Sequence, residues 1–207
     1  MGQLSSWELP DKGVLFVVTG PSGVGKSTLI RSAIQRIPGL TFSVSATTRM
    51  PRRDERNGHD YHFMSTTEFE QRLENDEFLE SAKFYHNAYG TLVGPTDNAL
   101  NTGHSLLLDI DLQGARQIRQ KMPHAVLIFI LPKNIETLEK RLNRRATDSS
   151  ETIKRRMAVV REQLSGCEEF DYLVVNDDLE TAHATFQGIF LAEMSRTLRR
   201  KSALVRL

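Results

Sequence analysis

Gly20-Pro21-Ser22-Gly23-Val24-Gly25-Lys26-Ser27, with Thr28 directly after it, decides the fold of this 207-residue chain. The stretch fits G-x-x-x-x-G-K-[ST], and its neighbours fit as well. In front of it, Val14-Leu15-Phe16-Val17-Val18 belongs to a buried strand expected over 14–19. Behind it, residues 26–36 read as a helix stopped by Pro38-Gly39. Strand, glycine-rich turn and helix is the context that a phosphate-binding loop needs. Glycines let backbone N–H groups approach a polyphosphate with no side chain in the way. The new helix points its partial positive N-terminus at the same anion. Lys26 can bridge the terminal phosphates, and the Ser27 hydroxyl can ligate Mg²⁺. The alternative is a glycine-rich turn in a different α/β protein. Agreement of every position and of both flanking elements favours the phosphate loop.

Downstream, Phe42-Ser43-Val44-Ser45 is a short strand candidate. Residues 46–62 are then polar, basic and turn-rich, and Asn57-Gly58 signals a tight turn. Ser65-Thr66-Thr67-Glu68 is a capping box that opens a helix to about Asn75, with Phe69 and Leu73 on its apolar side. Residues 78–93 read as a hairpin, with Phe78-Leu79-Glu80 and Lys83-Phe84-Tyr85 leading to a turn at His86-Asn87. Short strands with turns and one helix, from 46 to 93, do not form a crossover unit. They read as an insertion into an α/β chain.

The α/β pattern resumes with a helix from about Pro95 to Asn101, closed by Gly103. Ser105 to Asp109 and Ala125 to Leu131 are continuous apolar runs, separated by a helix over Gln113 to Lys121. Runs without alternation suit strands covered on both faces, as in a parallel sheet. A basic helical region spans 134–166, with a polar break from Thr147 to Ser150. Asp171 to Asn176 is the last strand. Residues 178–201 read as one long amphipathic helix with a basic end at Arg199-Arg200-Lys201. It can pack on its own core or on a second copy of the chain, as a homo-oligomer.

Composition bounds the function classes. Hydrophobic residues make up 39% and charged residues 26%, as expected of a soluble globular protein. The formal net charge of +1 gives no global field for nucleic acid or a membrane surface. No apolar run approaches the length of a membrane span, and Met1 to Gly13 lacks the pattern of a secretory signal. Met1-Gly2-Gln3-Leu4-Ser5-Ser6 fits the loose myristoylation pattern, but without a polybasic companion. Cys167, the one cysteine, allows no internal disulfide and suits a reducing compartment. The expectation is a cytoplasmic protein.

Three further stretches carry chemistry. Leu106-Leu107-Leu108-Asp109 ends an apolar strand in an acid, which is what Mg²⁺ positioning beside a phosphate loop requires. Asp111-Leu112-Gln113-Gly114 also fits the D-x-x-G of GTP-hydrolysing switches, yet the chain has no N-K-x-D to read guanine in that way. Arg49, Arg52, Arg53 and Arg56 lie in the 46–62 segment near Tyr61. Arginine suits bidentate capture of phosphate. Pro51 stiffens the backbone between Arg49 and Arg52, which favours those two; the alternative is a solvated basic loop. Arg141, Arg144 and Arg145, then Arg155 and Arg156, flank the polar break. They suit a lid that closes arginines over a transferring phosphoryl group, or else an ordinary solvated helix pair.

Taken together, these residues resemble guanylate kinase, and the resemblance covers almost the whole chain. It is carried by the phosphate loop, by Ser45-Ala46-Thr47-Thr48-Arg49-Met50-Pro51-Arg52, and by Glu55, Asn57-Gly58, Asp60-Tyr61 and Phe63. Phe78-Leu79-Glu80, Tyr89-Gly90-Thr91, Leu108 to Gly114 and Asp171 to Asp177 match too. T-T-R-x-P-R and D-I-D-x-Q-G are specific to that family. The resemblance implies an α/β fold with a parallel sheet of the phosphate-loop NTPase type. It divides the chain into a core (1–45, 94–133 and 161–207), an inserted small mixed β/α GMP-binding region (46–93) and a helical lid (134–160).

The same resemblance implies transfer of the ATP γ-phosphoryl group to GMP or dGMP, with Mg²⁺ as cofactor. ATP would be held by Gly20, Pro21, Ser22, Gly23, Val24, Gly25, Lys26, Ser27 and Thr28, with Asn176 near the adenine. Arg49, Arg52 and Tyr61 would hold the GMP phosphate, with Tyr89 adding a hydroxyl and Glu55 among the GMP-binding set. Glu80 would accept from the guanine N1–H and exocyclic amine, while Ser45 and Thr91 would donate to O6. The family often has Ser where this chain has Thr91, and the hydroxyl is retained. Asp109 would order Mg²⁺ through its water shell, together with Ser27, and Asp111 would face GMP. Lys26, Arg141, Arg145 and Arg156 would be the catalytic cations.

Three rivals stay open at this level. One is a phosphate-loop kinase for another nucleotide or sugar phosphate, against which Glu80 with Ser45 and Thr91 argues. Another is a silent guanylate-kinase-like interaction module; those typically lose the phosphate loop, which this chain keeps. The third is a nucleic-acid binder using the basic lid, which rests on charge alone.

Overall fold

The computed structural model describes residues 9–136, 138, 158 and 160–201. Two sheets organise them. The larger contains β1 (Leu15–Thr19), β2 (Leu40–Phe42), β7 (Ser105–Asp109), β8 (Val126–Pro132) and β9 (Tyr172–Asn176), in the order β2-β7-β1-β8-β9. Every pairing in it is parallel. This explains the apolar runs: Leu15 to Val18 and Leu106 to Leu108 are all buried, because helices cover both faces.

One face packs on α1 (Lys26–Arg36) and on α5 (Leu179–Met194), with Phe16, Leu29, Phe186 and Phe190 in a single cluster. The other face packs on α3 (Val93–Asn101) and α4 (Leu112–Lys121), where Leu100, Leu108, Ala115 and Ile118 meet. β1 lies at the centre, so the turn that follows it opens at the C-terminal edge of the sheet. Ligand sites of open parallel sheets lie at that edge.

The second sheet has the order β4-β3-β6-β5, from β3 (Ala46–Thr47), β4 (His62–Phe63), β5 (Phe78–Phe84) and β6 (Asn87–Leu92). α2 (Thr66–Glu74) closes its small core, where the Phe69 and Phe78 rings stack at 4.4 Å. The Ser65 side chain accepts from the Glu68 N–H at 3.1 Å, as the capping pattern predicts. The Glu68 carboxylate, however, binds Arg72 one turn along.

Several boundaries differ from the sequence reading, each for a tertiary reason. The strand expected at 42–45 lies at Leu40–Phe42, because β2 pairs with β7 only until the Ser43 N–H reaches the Leu107 carbonyl. The chain then crosses to the second sheet at Ala46. Leu73, expected on the apolar side of its helix, is 45% exposed, since the small core ends at Phe69. The hairpin turns one residue early, with Tyr85 in the left-handed region at φ 54.

The final helix stops at Met194 rather than 201. The chain then bends back, the Arg199 guanidinium lies 3.9 Å from the buried Glu193 carboxylate, and the Arg199 carbonyl accepts from Asp11. The basic end is thus partly an internal ion pair. Of the expected lid, Arg141, Arg144, Arg145, Arg155 and Arg156 lie outside the described residues. Among the described residues no helix is long and apolar enough to cross a membrane.

Candidate active site

The loop after β1 is held in a conformation that only its glycines permit. Gly20, Gly23 and Gly25 all have positive φ, at 150°, 81° and 101°. A Cβ on Gly25 would come within 2.3 Å of the Asn176 amide nitrogen. Gly25 is also the N-cap of α1, with no side-chain cap and no acid in the first turn. The first N–H groups of α1 are therefore left for an anion. The Lys26 ammonium folds back to donate to the Gly20 carbonyl at 2.6 Å, and it lies 3.9 Å from Asp109. Burial pushes the Lys26 pKa down, with Asp109 opposing the shift. Burial pushes the Asp109 carboxyl up, with Lys26 opposing.

Asn176, expected near the adenine, ends β9 and donates to the Val24 carbonyl at 2.7 Å. It braces the loop from behind. Thr19 ties the end of β1 to the segment after β7, through a bond to the Ile110 carbonyl at 2.9 Å. Ser27 and Asp109 line one cavity of about 430 Å³ with Phe42, and Asp109 also lines a second cavity beside it.

That second cavity, about 370 Å³, lies between the two sheets. The ends of β2 and β7 and the residues just after them contribute Ser43 and Leu108 to Asp111; the small sheet contributes Glu80 and Tyr89, with Tyr61 just before β4; Ser45 lies on the chain between the sheets. Glu80 is only 5% exposed, and the Thr91 hydroxyl donates to its carboxylate at 2.7 Å. A hydroxyl has one proton to give. The Thr91 proton goes to Glu80, so it is not directed at a ligand as the sequence reading expected. Burial pushes the Glu80 carboxyl above its ordinary range, and the Asp111 charge adds to this against the Thr91 bonds. Asp111 faces the cavity and is also the N-cap of α4, where it accepts from the Gly114 N–H at 2.9 Å.

Arg49 is held as a plate beside the cavity. Its two terminal nitrogens donate to both oxygens of Glu55, at 3.0 and 2.8 Å, and its guanidinium lies 5.3 Å from the Tyr61 ring centre. Glu55 also accepts from the Arg52 N–H at 2.7 Å. Its bond to Arg49 holds the Glu55 carboxyl below the usual range, helped by the Arg52 N–H. Glu55 thus orients the arginines here rather than lining the cavity. Arg52, Arg53 and Arg56 are exposed. The structure brings Lys26, Ser27, Ser45, Tyr61, Glu80, Tyr89, Asp109 and Asp111 to two adjoining cavities. Arg141, Arg145 and Arg156 fall outside the described residues.

Phe42 escaped the sequence reading. It is 49% exposed and lines both cavities. The available signal was a large apolar residue at the C-terminal end of a parallel strand, where ligands bind.

A sequence model described as guanylate kinase matches residues 12–193. A guanylate kinase of Nitrosospira multiformis is 45% identical over 185 residues, covering 89% of this chain and 88% of the relative. One of Trichormus variabilis is 51% identical over 175 residues, covering 84% and 88%. Among solved structures, the crystal structure of guanylate kinase from Anaplasma phagocytophilum superposes with a TM-score of 0.68 at 33% identity, covering 93% and 92%.

Proposed function

The chain belongs to the guanylate kinase family, and on that premise we propose how its residues divide the work of the family reaction. The enzyme is a nucleoside monophosphate kinase that transfers the γ-phosphoryl group of ATP to GMP. One observation carries the assignment of roles. A single cavity is lined by both Glu80 and Asp109, and Asp109 stands 3.9 Å from Lys26 of the phosphate loop. An acceptor nucleotide read at Glu80 thereby has a path to the phosphates cradled at Lys26. The chain divides into the core, the GMP-binding region at 46–93 and the lid at 134–160, as the resemblance implies.

Glu80 reads the guanine edge, because a carboxylate can accept from both N1–H and the 2-amino group. Thr91 positions that carboxylate, which leaves Ser45 as the donor to O6. Arg49 binds the GMP phosphate, with Tyr61, Tyr89 and Arg52; Glu55 holds Arg49 and the Arg52 backbone in place, and Asp111 borders GMP. Gly20 to Thr28 cradle the ATP phosphates, and Asn176 supports that loop from beneath the adenine side. dGMP is an acceptor alongside GMP, as the resemblance implies.

The residues around Lys26 fit Mg²⁺. Ser27 and Asp109 are hard oxygen donors on one cavity. No cluster of three or more metal-ligating side chains exists among the described residues. Mg²⁺ needs only one or two protein oxygens when phosphates and waters complete its shell. Bound with ATP, Mg²⁺ supplies neutralisation of the phosphate oxygens. Transfer is in line and needs little covalent help from the protein. Lys26 offsets charge on the transferring group, the clefts orient both nucleotides, and lid closure excludes water that would hydrolyse ATP. Arg141, Arg145 and Arg156 would complete the cation set. We place the enzyme in the cytoplasm, in keeping with its single thiol, acting on ATP and GMP with neither membrane nor nucleic acid as partner.

The test is ADP release from Mg·ATP with GMP, dGMP, AMP, UMP or dTMP supplied separately. Turnover with GMP and dGMP alone supports the whole reading. Turnover with a different acceptor would discard the role of Glu80. Glu55→Gln is expected to raise the KM for GMP about tenfold at nearly constant kcat, because it loosens the Arg49 plate without touching the transferring group. A fall confined to kcat would contradict this. Arg141→Ala is expected to lower kcat about 10²-fold with a far smaller change in GMP affinity. A loss seen only in KM would remove Arg141 from the transfer step.

A further inference from the structure

Glu80 lies on β5, the outer strand of the small sheet. One edge of β5 pairs with β6, and between Phe78↔Leu92 and Glu80↔Thr91 the register slips by one residue. This bulge brings Glu80 opposite Thr91, whose hydroxyl binds it. A bulged edge strand is not held in place by its ladder alone. Its free edge needs a partner, or its N–H and C=O groups turn to water and the strand shifts.

At Ser81, the residue after Glu80, that partner is a single side chain. The Gln117 Oε1 accepts from the Ser81 N–H at 3.0 Å, and the Gln117 Nε2 donates to the Ser81 carbonyl at 3.1 Å. A primary amide carries a donor and an acceptor in one plane, as a neighbouring peptide group would. It replaces a missing strand at one position. Satisfying both Ser81 groups also fixes which way the amide is turned.

Gln117 belongs to α4, the helix that Asp111 caps. The spacing places Gly114, Gln117 and Lys121 on one side of that helix. All three meet β5. A Cβ on Gly114 would come within 3.2 Å of a Glu80 carboxylate oxygen. Lys121 donates to the Phe78 carbonyl at 2.7 Å and pairs with Asp76. The seam runs alongside the carboxylate itself.

We infer that Gln117 is a positioning residue for base recognition: its amide fixes β5 at Ser81 against α4, and so sets where the Glu80 carboxylate meets the guanine edge. The inference rests on the reading of Glu80 given above. Gln117 lines neither cavity. Its effect reaches the substrate only through Glu80.

The test compares Gln117→Leu, which removes both bonds, and Gln117→Glu, which keeps the acceptor but sets a carboxylate against the Ser81 carbonyl, with Glu80→Gln and the double variant Glu80→Gln/Gln117→Leu. KM and kcat are measured for GMP, for IMP, which lacks the 2-amino group, and for ATP; thermal midpoints are recorded in parallel. With each of the two bonds worth about threefold, Gln117→Leu should raise the KM for GMP about tenfold and cut the preference for GMP over IMP by a similar factor. The KM for ATP should hold. Gln117→Glu should move in the same direction by less.

Once Glu80 is Gln, adding Gln117→Leu should cost no further selectivity, because one acts through the other. If the losses multiply, or ATP and GMP suffer alike, Gln117 is merely structural and the inference falls. Should Gln117→Leu fail to fold, Gln117→Glu decides by the same ratio of GMP to IMP. If Glu80→Gln itself keeps wild-type selectivity, the base-reading role of Glu80 has failed instead. If Glu80→Gln loses selectivity while both Gln117 variants keep it, only the present inference has.

Discussion

Glu80→Gln is expected to reduce the preference for GMP over AMP by at least about 10²-fold and, in the same molecule, to stabilise the nucleotide-free enzyme. The first effect follows from donor and acceptor counting. A carboxylate offers only acceptors, which suit the two donors on the guanine edge and oppose the acceptor at adenine N1. A site built around buried hydrogen-bonding groups rejects a mismatched analogue by up to ~10⁴ or more. An amide offers one donor and one acceptor, so it tolerates either base. The Gln oxygen can still accept from Thr91, so the pocket keeps its shape.

The second effect follows from the burial of Glu80, which with Asp111 nearby raises its carboxyl above the ordinary 4.5. A raised pKa in the folded state means that folding favours the protonated form. Stability from this group is fully present below 4.5 and is lost as pH rises through the raised folded value. Gln does not titrate. The variant should therefore melt higher than the wild type at pH 8, and the difference should shrink towards zero below 4.5. Asp109, also raised, is common to both proteins and cancels in the comparison. Selectivity assays and melting curves against pH check both halves. Unchanged selectivity would take Glu80 out of the base pocket, and a difference independent of pH would take away the burial argument. A recognition group that costs stability until its ligand arrives is the usual trade at a functional site.

Lys26→Met should lower kcat about 10³-fold while leaving GMP affinity within a few-fold, since removing one preorganised donor from a transition-state charge costs on that order. Met keeps the length and apolar stem of the side chain, so the loop glycines need not move. The free enzyme should nearly hold its stability, because burial already disfavours the Lys26 ammonium, which offsets the loss of its bond to the Gly20 carbonyl and of its 3.9 Å pairing with Asp109. The measurement is steady-state kcat beside a direct titration of GMP in the absence of ATP. An intact kcat with a raised KM for ATP would make Lys26 a ground-state anchor and nothing more.

Much of this was legible in the chain itself. Lys26–Arg36 formed as a helix at the limits its residues suggest, and Ser105–Asp109 formed as a strand ending in its acid. The glycines announced the loop, and at Gly25 the structure shows why no side chain would serve. The hairpin from 78 was readable, but its turn was misplaced by one residue, since Tyr85 adopts a left-handed conformation that its residue type does not advertise. The last helix was overextended because Arg199-Arg200-Lys201 read as its basic end, whereas the chain leaves the helix after Met194 and Arg199 turns back to the buried Glu193 and the N-terminal segment.

At the site, three residues expected at a nucleotide bond to protein groups in the structure. Glu55 was placed among ligand contacts, and it grips Arg49. Thr91 was given to guanine, and its proton goes to Glu80. Asn176 was given to adenine, and it bonds to the Val24 carbonyl. The sequence by itself determined the conformations and chemistries set by contiguous residues: a glycine loop, apolar strands, and an acid at a strand end. Only the tertiary structure decided which donor meets which acceptor across 11, 36 or 152 positions of chain. The reason is physical. Backbone preference acts locally, whereas a side chain with several partners available takes the one that burial leaves within reach and closes to water.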